Sequence, residues 1–227
     1  MHQRLNYSAY LSELIGTFIL VFNGTGAIMV NEIFGGVITH LGIAFAFGLT
    51  VAMLIYTFRK ISGANFNPAV SIALWSIKRL STKDMMLYIA SQVIGAILAS
   101  ILLKVMFGNI ATLGATLPND ALFDNEITVA LAVELIYTFI LMVVILGAAV
   151  DNRADDRFGG IAIGITVMVG ALIIGPISGG SFNPARSLGP ALISGHVSSL
   201  WLYIVFPIIG ALLAVFATKK IFYLEDH

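Results

Sequence analysis

The chain has 227 residues, 59% of them hydrophobic and 11% charged, with 12 basic residues against 12 acidic ones. A soluble domain carries roughly 25% charged residues, and a nucleic-acid binder draws its affinity from excess positive charge; a mean hydropathy of +0.97 with zero net charge excludes both classes. Cysteine is absent, which removes disulfides, thiolate metal sites and a cysteine nucleophile together.

A helix that crosses a bilayer core of about 30 Å needs roughly 20 mainly apolar residues. The first such stretch, Ala9–Val30, follows Arg4. It outruns a signal-peptide core, holds Glu13 and Asn23, and lacks a small-residue cleavage pattern, so it is expected to stay as a span. Gly36–Phe58 is the second span. Pro68–Ile77 comes next and is short: at about 1.5 Å per residue it reaches only half-way across. Met85–Phe107, Thr128–Val150 and Phe158–Gly175 are further full spans, with the charged run Asp151–Arg157 between the last two read as a solvated face. Pro184–Ile193 is the second short apolar segment, and Ser199–Thr218 is the last span, with Trp201 and Tyr203 suited to an interfacial aromatic belt. The two short segments are expected to be re-entrant half-helices, tolerated in a membrane only where protein or a wet cavity surrounds them.

Placing the N-terminus in the cytoplasm puts Arg4, Arg59, Lys60, Lys78, Arg79, Lys83, Arg153, Arg157, Lys219 and Lys220 on that side, leaving only Lys104 and Arg186 elsewhere. The positive-inside rule thus predicts both termini in the cytoplasm and six spans.

Three segments recur in order. SELIGTFILV (Ser12–Val21) matches VELIYTFILM (Val133–Met142), SGANFNPAVS (Ser62–Ser71) matches SGGSFNPARS (Ser178–Ser187), and IGAILA (Ile94–Ala99) matches IGALLA (Ile209–Ala214), at offsets of 121, 116 and 115 residues. A duplication is the reading, with repeats at about 1–115 and 116–227 forming one domain. Each repeat holds three spans, an odd number, so the second enters the membrane upside down. Inverted repeats of this kind place their site near the midplane, at the interrupted helices. Gly95-x-x-x-Ala99 and Gly210-x-x-x-Ala214 suit close helix crossings.

Asn67-Pro68-Ala69 and Asn183-Pro184-Ala185 open the half-helices. Asparagine caps a helix start, and proline suits the first helical position, where its missing N–H costs nothing. The carboxamide oxygen is expected to accept from the helix's own N–H groups, leaving the NH₂ as a fixed donor in the lumen. Two facing helix N-termini carry about half a positive charge each, which disfavours cations between them. The segments Ile61–Phe66 and Ile177–Phe182, with Gly63, Ala64, Gly179 and Gly180, are expected to offer a line of backbone carbonyls. A neutral hydrogen-bonding solute can exchange water for these groups, whereas an ion loses hydration without full compensation. A secondary active transporter of a small neutral solute is the alternative, since it shares the architecture. It would gather ionisable groups at the site, and the motif centres hold Asn, Pro, Ala, Gly and Ser. No nucleophile–base pair faces the lumen, so an enzyme is not expected. The histidines His2, His40, His196 and His227 are dispersed and support no metal site.

The duplicated SGANFNPAV and SGGSFNPARSLGPA resemble the aquaporin, or major intrinsic protein, family across essentially the whole chain. The resemblance implies an all-α integral membrane fold of six transmembrane helices and two re-entrant half-helices, and a homotetramer with one pore per subunit, without cofactor. It implies a second constriction built around Arg186, with Phe47, Ala171 and Gly180 as its other members. It also implies that Glu13 and Glu134 support the re-entrant loops. Water-selective relatives have histidine where Ala171 stands, and glycerol facilitators have aspartate where Ser187 stands. Gly180 and the SLGPA continuation are more similar to the nodulin-like and archaeal branches. Small side chains opposite Phe47 and Arg186 imply passage of water and small uncharged solutes such as glycerol, with urea and undissociated metalloid acids as further candidates. The expected location is the cell membrane.

Overall fold

The computed structural model describes residues 6–121, 124–155 and 157–222. Arg4, His2 and His227 lie outside them. Helix α1 runs over Tyr7–Ile33, α2 over Thr39–Ser62, the short α3 over Pro68–Ser76 and α4 over Thr82–Phe107. A turn at Ile110–Gly114 follows, then α5 (Glu126–Ile145) with a π-type extension to Val150, α6 (Gly159–Ser178), the short α7 (Pro184–Ser194) and α8 (Leu200–Thr218). Six of these are long and apolar enough to span a membrane. The expected spans and half-helices are all present, with ends moved by a few residues.

Local chemistry sets those ends. Ser81 caps α4, its hydroxyl accepting from Asp84 N at 3.0 Å, and Asp84 in the first turn suits the positive end of the helix dipole. Asn6 caps α1 through Ala9 N. Both α2 and α6 stop on a left-handed glycine, Gly63 and Gly179. They therefore continue two residues into the stretches expected to be extended, and the non-helical segments are shorter than expected: 63–66 and 179–182.

The packing pairs like with like. Helices α1 and α4 cross closely, as do α5 and α8; α1 lies on α2 as α5 lies on α6; α2 and α6 meet at the centre. A Cβ on Gly95 would sit 2.3 Å from Leu14 O, and one on Gly210 would sit 2.3 Å from Leu135 O. Only glycine permits these two crossings. Each half-helix also leaves its own half: α3 packs on α8, and α7 packs on α4. Leucines, isoleucines, valines and phenylalanines cover the outward faces, among them Leu98, Val105, Ile136, Val205 and Phe216, the surface that lipid tails require.

Two expectations are corrected here. Tyr203 belongs to no aromatic belt: it is fully buried, and its hydroxyl donates to Ser178 O at 2.7 Å, while Trp201 remains exposed. The run 151–157 is more than a solvated face. Asp151 is buried and accepts from Arg153 N, Nε and Nη2, and Arg153 Nη2 also donates to Ile221 O.

Candidate functional site

Asn67 and Asn183 sit in extended conformation at the starts of α3 and α7. Asn67 Oδ1 accepts from Ala69 N at 2.9 Å; Asn183 Oδ1 accepts from Ala185 N at 3.0 Å and Arg186 N at 3.3 Å. The amide nitrogens cross over. Asn67 Nδ2 donates to Phe182 O, and Asn183 Nδ2 to Phe66 O, both at 2.8 Å. The expectation of an NH₂ wholly free for the lumen is therefore half right: one N–H of each amide is committed to the opposite loop, and one remains. The Phe66 and Phe182 carbonyls each give one acceptor position to the opposite asparagine and keep a second.

Both loops hold their shape through a buried carboxylate. Glu13 accepts from Ser62 Oγ, Asn65 N, Phe66 N and Gln92 Nε2, all between 2.7 and 3.0 Å. Glu134 accepts from Ser178 Oγ, Ser181 N and Phe182 N between 2.7 and 2.9 Å. Neither carboxylate is exposed. These bonds satisfy N–H groups that left-handed residues (Ala64, Phe66, Gly180, Phe182) turn away from any regular ladder. A second matched pair was not anticipated from sequence: Tyr88 Oη donates to Ser62 O as Tyr203 Oη does to Ser178 O. The 115-residue offset already seen for IGAILA and IGALLA carries the signal, because LYI at 87–89 recurs at 202–204.

Asn67 and Asn183 border one cavity of about 360 Å³, together with Gly63–Phe66, Gly180–Phe182, Phe47 and Arg186. Toward the α3 side its wall turns apolar, through Val70, Leu74, Ile55, Leu141 and Ile145, and it ends near Arg59 and Arg79. Arg186 is buried, with Nη1 donating to Gly114 O at 2.7 Å and Cζ 5.0 Å from the centre of the Phe47 ring. That distance is within cation–π range. Phe47 itself fits because α1 offers Gly24 at its edge, where a Cβ would lie 2.1 Å from the ring.

The structure thus brings Phe47, Gly180 and Arg186 to the lining of one cavity. Ala171 stands behind Gly180: it is buried in the apolar cluster with Phe47, and a Cβ on Gly180 would lie 3.5 Å from its Cα, while Val167, one turn earlier, borders the cavity. His40 ties α2 to α6, its Nε2 2.7 Å from Leu172 O. Lys104 Nζ donates to Ile193 O near the end of α7, where a cation suits the helix dipole.

Sequence reasoning also missed the turn at 110–114. Ala111, Thr112, Leu113 and Gly114 all have φ between +46° and +67°, a left-handed run that costs non-glycine residues roughly 1–2 kcal/mol each. Burial of Leu113 against Met29 and Leu103 holds it.

Comparison with known proteins follows the same lines. The family profile described as major intrinsic protein matches residues 1–218. The chain belongs to that family. Its aquaporin relatives include aquaporin NIP3-1 of Arabidopsis thaliana, 46% identical over 205 residues, covering 89% of this chain and 64% of that protein. Nodulin-26 of Glycine max is 43% identical over 203 residues, covering 89% of this chain and 73% of its own length. Among solved structures, the aquaglyceroporin from Plasmodium falciparum superposes with a TM-score of 0.84 at 26% identity, covering 96% of this chain and 97% of that one. The protein is therefore a multi-pass aquaporin of six spans in the nodulin-26-like group, a membrane channel and not an enzyme.

Proposed function

We propose that this aquaporin passes water and small uncharged solutes passively and excludes ions and protons. The observation that carries the reading is the meeting of two half-helix N-termini at one cavity, each with an asparagine amide held by the opposite loop. Each amide keeps one N–H for a passing oxygen, and the two helix dipoles oppose a cation between them. A single file of water that must orient toward both donors cannot relay protons through the centre.

Phe47, Ala171, Gly180 and Arg186 are the proposed selectivity residues, with Ala171 acting through the space it leaves behind Gly180. Glycine and alanine opposite an aromatic ring and a guanidinium leave room for solutes larger than water: glycerol, urea and undissociated metalloid acids. A relative described as an aquaglyceroporin supports this choice. The repeats at about 1–115 and 116–227 are proposed to be inverted within one channel domain, with both termini cytoplasmic in the cell membrane and four copies assembled. The matched helix pairing supports the inversion, and the sorting of the charges supports the cytoplasmic termini.

Stopped-flow light scattering on proteoliposomes tests the function. The expected result is water and glycerol flux that rises linearly with gradient and ignores proton and sodium gradients. Flux that saturates at low concentration, or that follows an ion gradient, points instead to a transporter and overturns the reading.

A further inference from the structure

Arg186 is held from outside its own half of the chain. Its Nη1 donates to Gly114 O, and Gly114 presents that carbonyl because the backbone runs left-handed from Ala111 onward. Both ends of the turn are fixed. On one side Leu113 is buried, and a Cβ on Gly114 would lie 2.9 Å from Thr25 Cβ, so α1 sits directly behind it. On the other side the Thr116 hydroxyl meets Ser187 Oγ at 2.6 Å, and Ser187 Oγ meets Ser181 Oγ at 2.5 Å. Ser181 Oγ in turn donates to Asn183 O. Asn119 closes the strap through Ile177 O and Pro176 O.

These bonds place Thr116 two residues beyond the carbonyl that Arg186 uses, and Ser187 one residue beyond Arg186 itself. We propose that Thr116 is a positioning residue for the Arg186 constriction, acting through Ser187, and that it sets solute selectivity without touching the solute. This rests on the channel reading above and deepens it. The hydroxyl pair fixes the separation of the Gly114 carbonyl and the α7 backbone, and thereby the place of the guanidinium opposite Phe47. Without the pair, Leu113 and Asn119 still hold the segment at its two ends, but among the described residues no hydrogen bond other than that of Arg186 ties its middle to α7, and the guanidinium gains freedom opposite Phe47.

The test compares Thr116→Val, which keeps shape and loses the hydroxyl, with Thr116→Ser, which keeps the hydroxyl. In proteoliposomes the Val variant is expected to change the glycerol-to-water permeability ratio by roughly threefold or more, the scale of one lost buried hydrogen bond. The Ser variant is expected to restore the wild-type ratio. Equal ratios in all three proteins, with wild-type vesicles swelling faster than empty ones, would overturn the proposal. Wild-type vesicles that swell no faster than empty ones would instead overturn the channel reading. A second measurement stands apart from transport: hydrogen exchange at the Arg186 guanidinium in ¹⁵N-arginine-labelled protein, assigned with Arg186→Lys. Exchange is expected to be about tenfold faster in Thr116→Val and normal in Thr116→Ser. Unchanged exchange in the Val variant overturns the positioning role whatever the vesicles do.

Discussion

The loop that leads into α3 and the loop that leads into α7 share a backbone, a carboxylate and a tyrosine, yet they differ at one position where chemistry is decided. Arg186 follows the second motif; Val70 stands 116 residues earlier, after the first. Ser71 and Ser187 each bond the residue six positions earlier, Asn65 and Ser181, but Ser71 also accepts from Gln92 on α4, whereas Ser187 meets Thr116 in the segment before α5. The shared parts hold the loops in shape. The unshared parts set Arg186 against Phe47 at one part of the cavity, where the matching position of the first motif adds only the apolar Val70 to the wall. The matched segments build the scaffold, and the departure between them is where the proposed selectivity residue Arg186 stands.

Breaking the shared parts has the largest expected effect. Glu134→Leu leaves Ser178 Oγ, Ser181 N and Phe182 N without their acceptor. Each buried donor so orphaned costs roughly 1–3 kcal/mol, so the variant is expected to aggregate on gentle heating in detergent. Glu13→Leu should do the same, and a wild-type melting curve from either would show that the carboxylates are dispensable. Next in size is Arg186→Ala, which removes the feature unique to the second loop. The expected outcome is conserved water flux with a raised ion or proton leak in pH-dye-loaded vesicles. Unchanged leakage would detach Arg186 from exclusion.

Tyr88→Phe and Tyr203→Phe sharpen the symmetry at a smaller scale. Each loses one buried hydrogen bond, worth about 1 kcal/mol, and the two are expected to lower the melting temperature alike. A marked inequality would mean that one loop leans on its tyrosine more than the other. The smallest effect is reserved for the exposed pair Asp155 and Arg157. The guanidinium holds the Asp155 carboxyl below its usual range, so any contribution is present above the carboxylate's ordinary pKa and fades only as pH falls through the lowered one. The pair is fully exposed, and Asp155→Asn is expected to leave melting temperature and flux unchanged between pH 5 and pH 8.

Much of this was legible in the sequence because it was written twice. The half-helices followed from their length and from Asn-Pro at their starts, and the supporting carboxylates from their matched placement together with the family resemblance. Tyr203 was misread because a tyrosine at the end of a span has two common fates, and only its mate Tyr88 separates them. The turn at 110–114 was illegible for a different reason. Ala111, Thr112 and Leu113 have no local preference for left-handed backbone, and long-range packing, the burial of Leu113 among it, imposes it. The crossed asparagine bonds were likewise invisible, since each joins residues more than a hundred positions apart.

Those crossed bonds have a consequence for assembly. The carbonyl that fixes Asn67 comes from residue 182, and the one that fixes Asn183 comes from residue 66. Neither half of the chain can complete its own motif. A nascent protein with only its first three spans in the bilayer holds an asparagine that is capped but not aimed, and no finished passage. Both motifs are complete only once the later half has docked. A membrane that is still receiving this protein is spared a half-built hole.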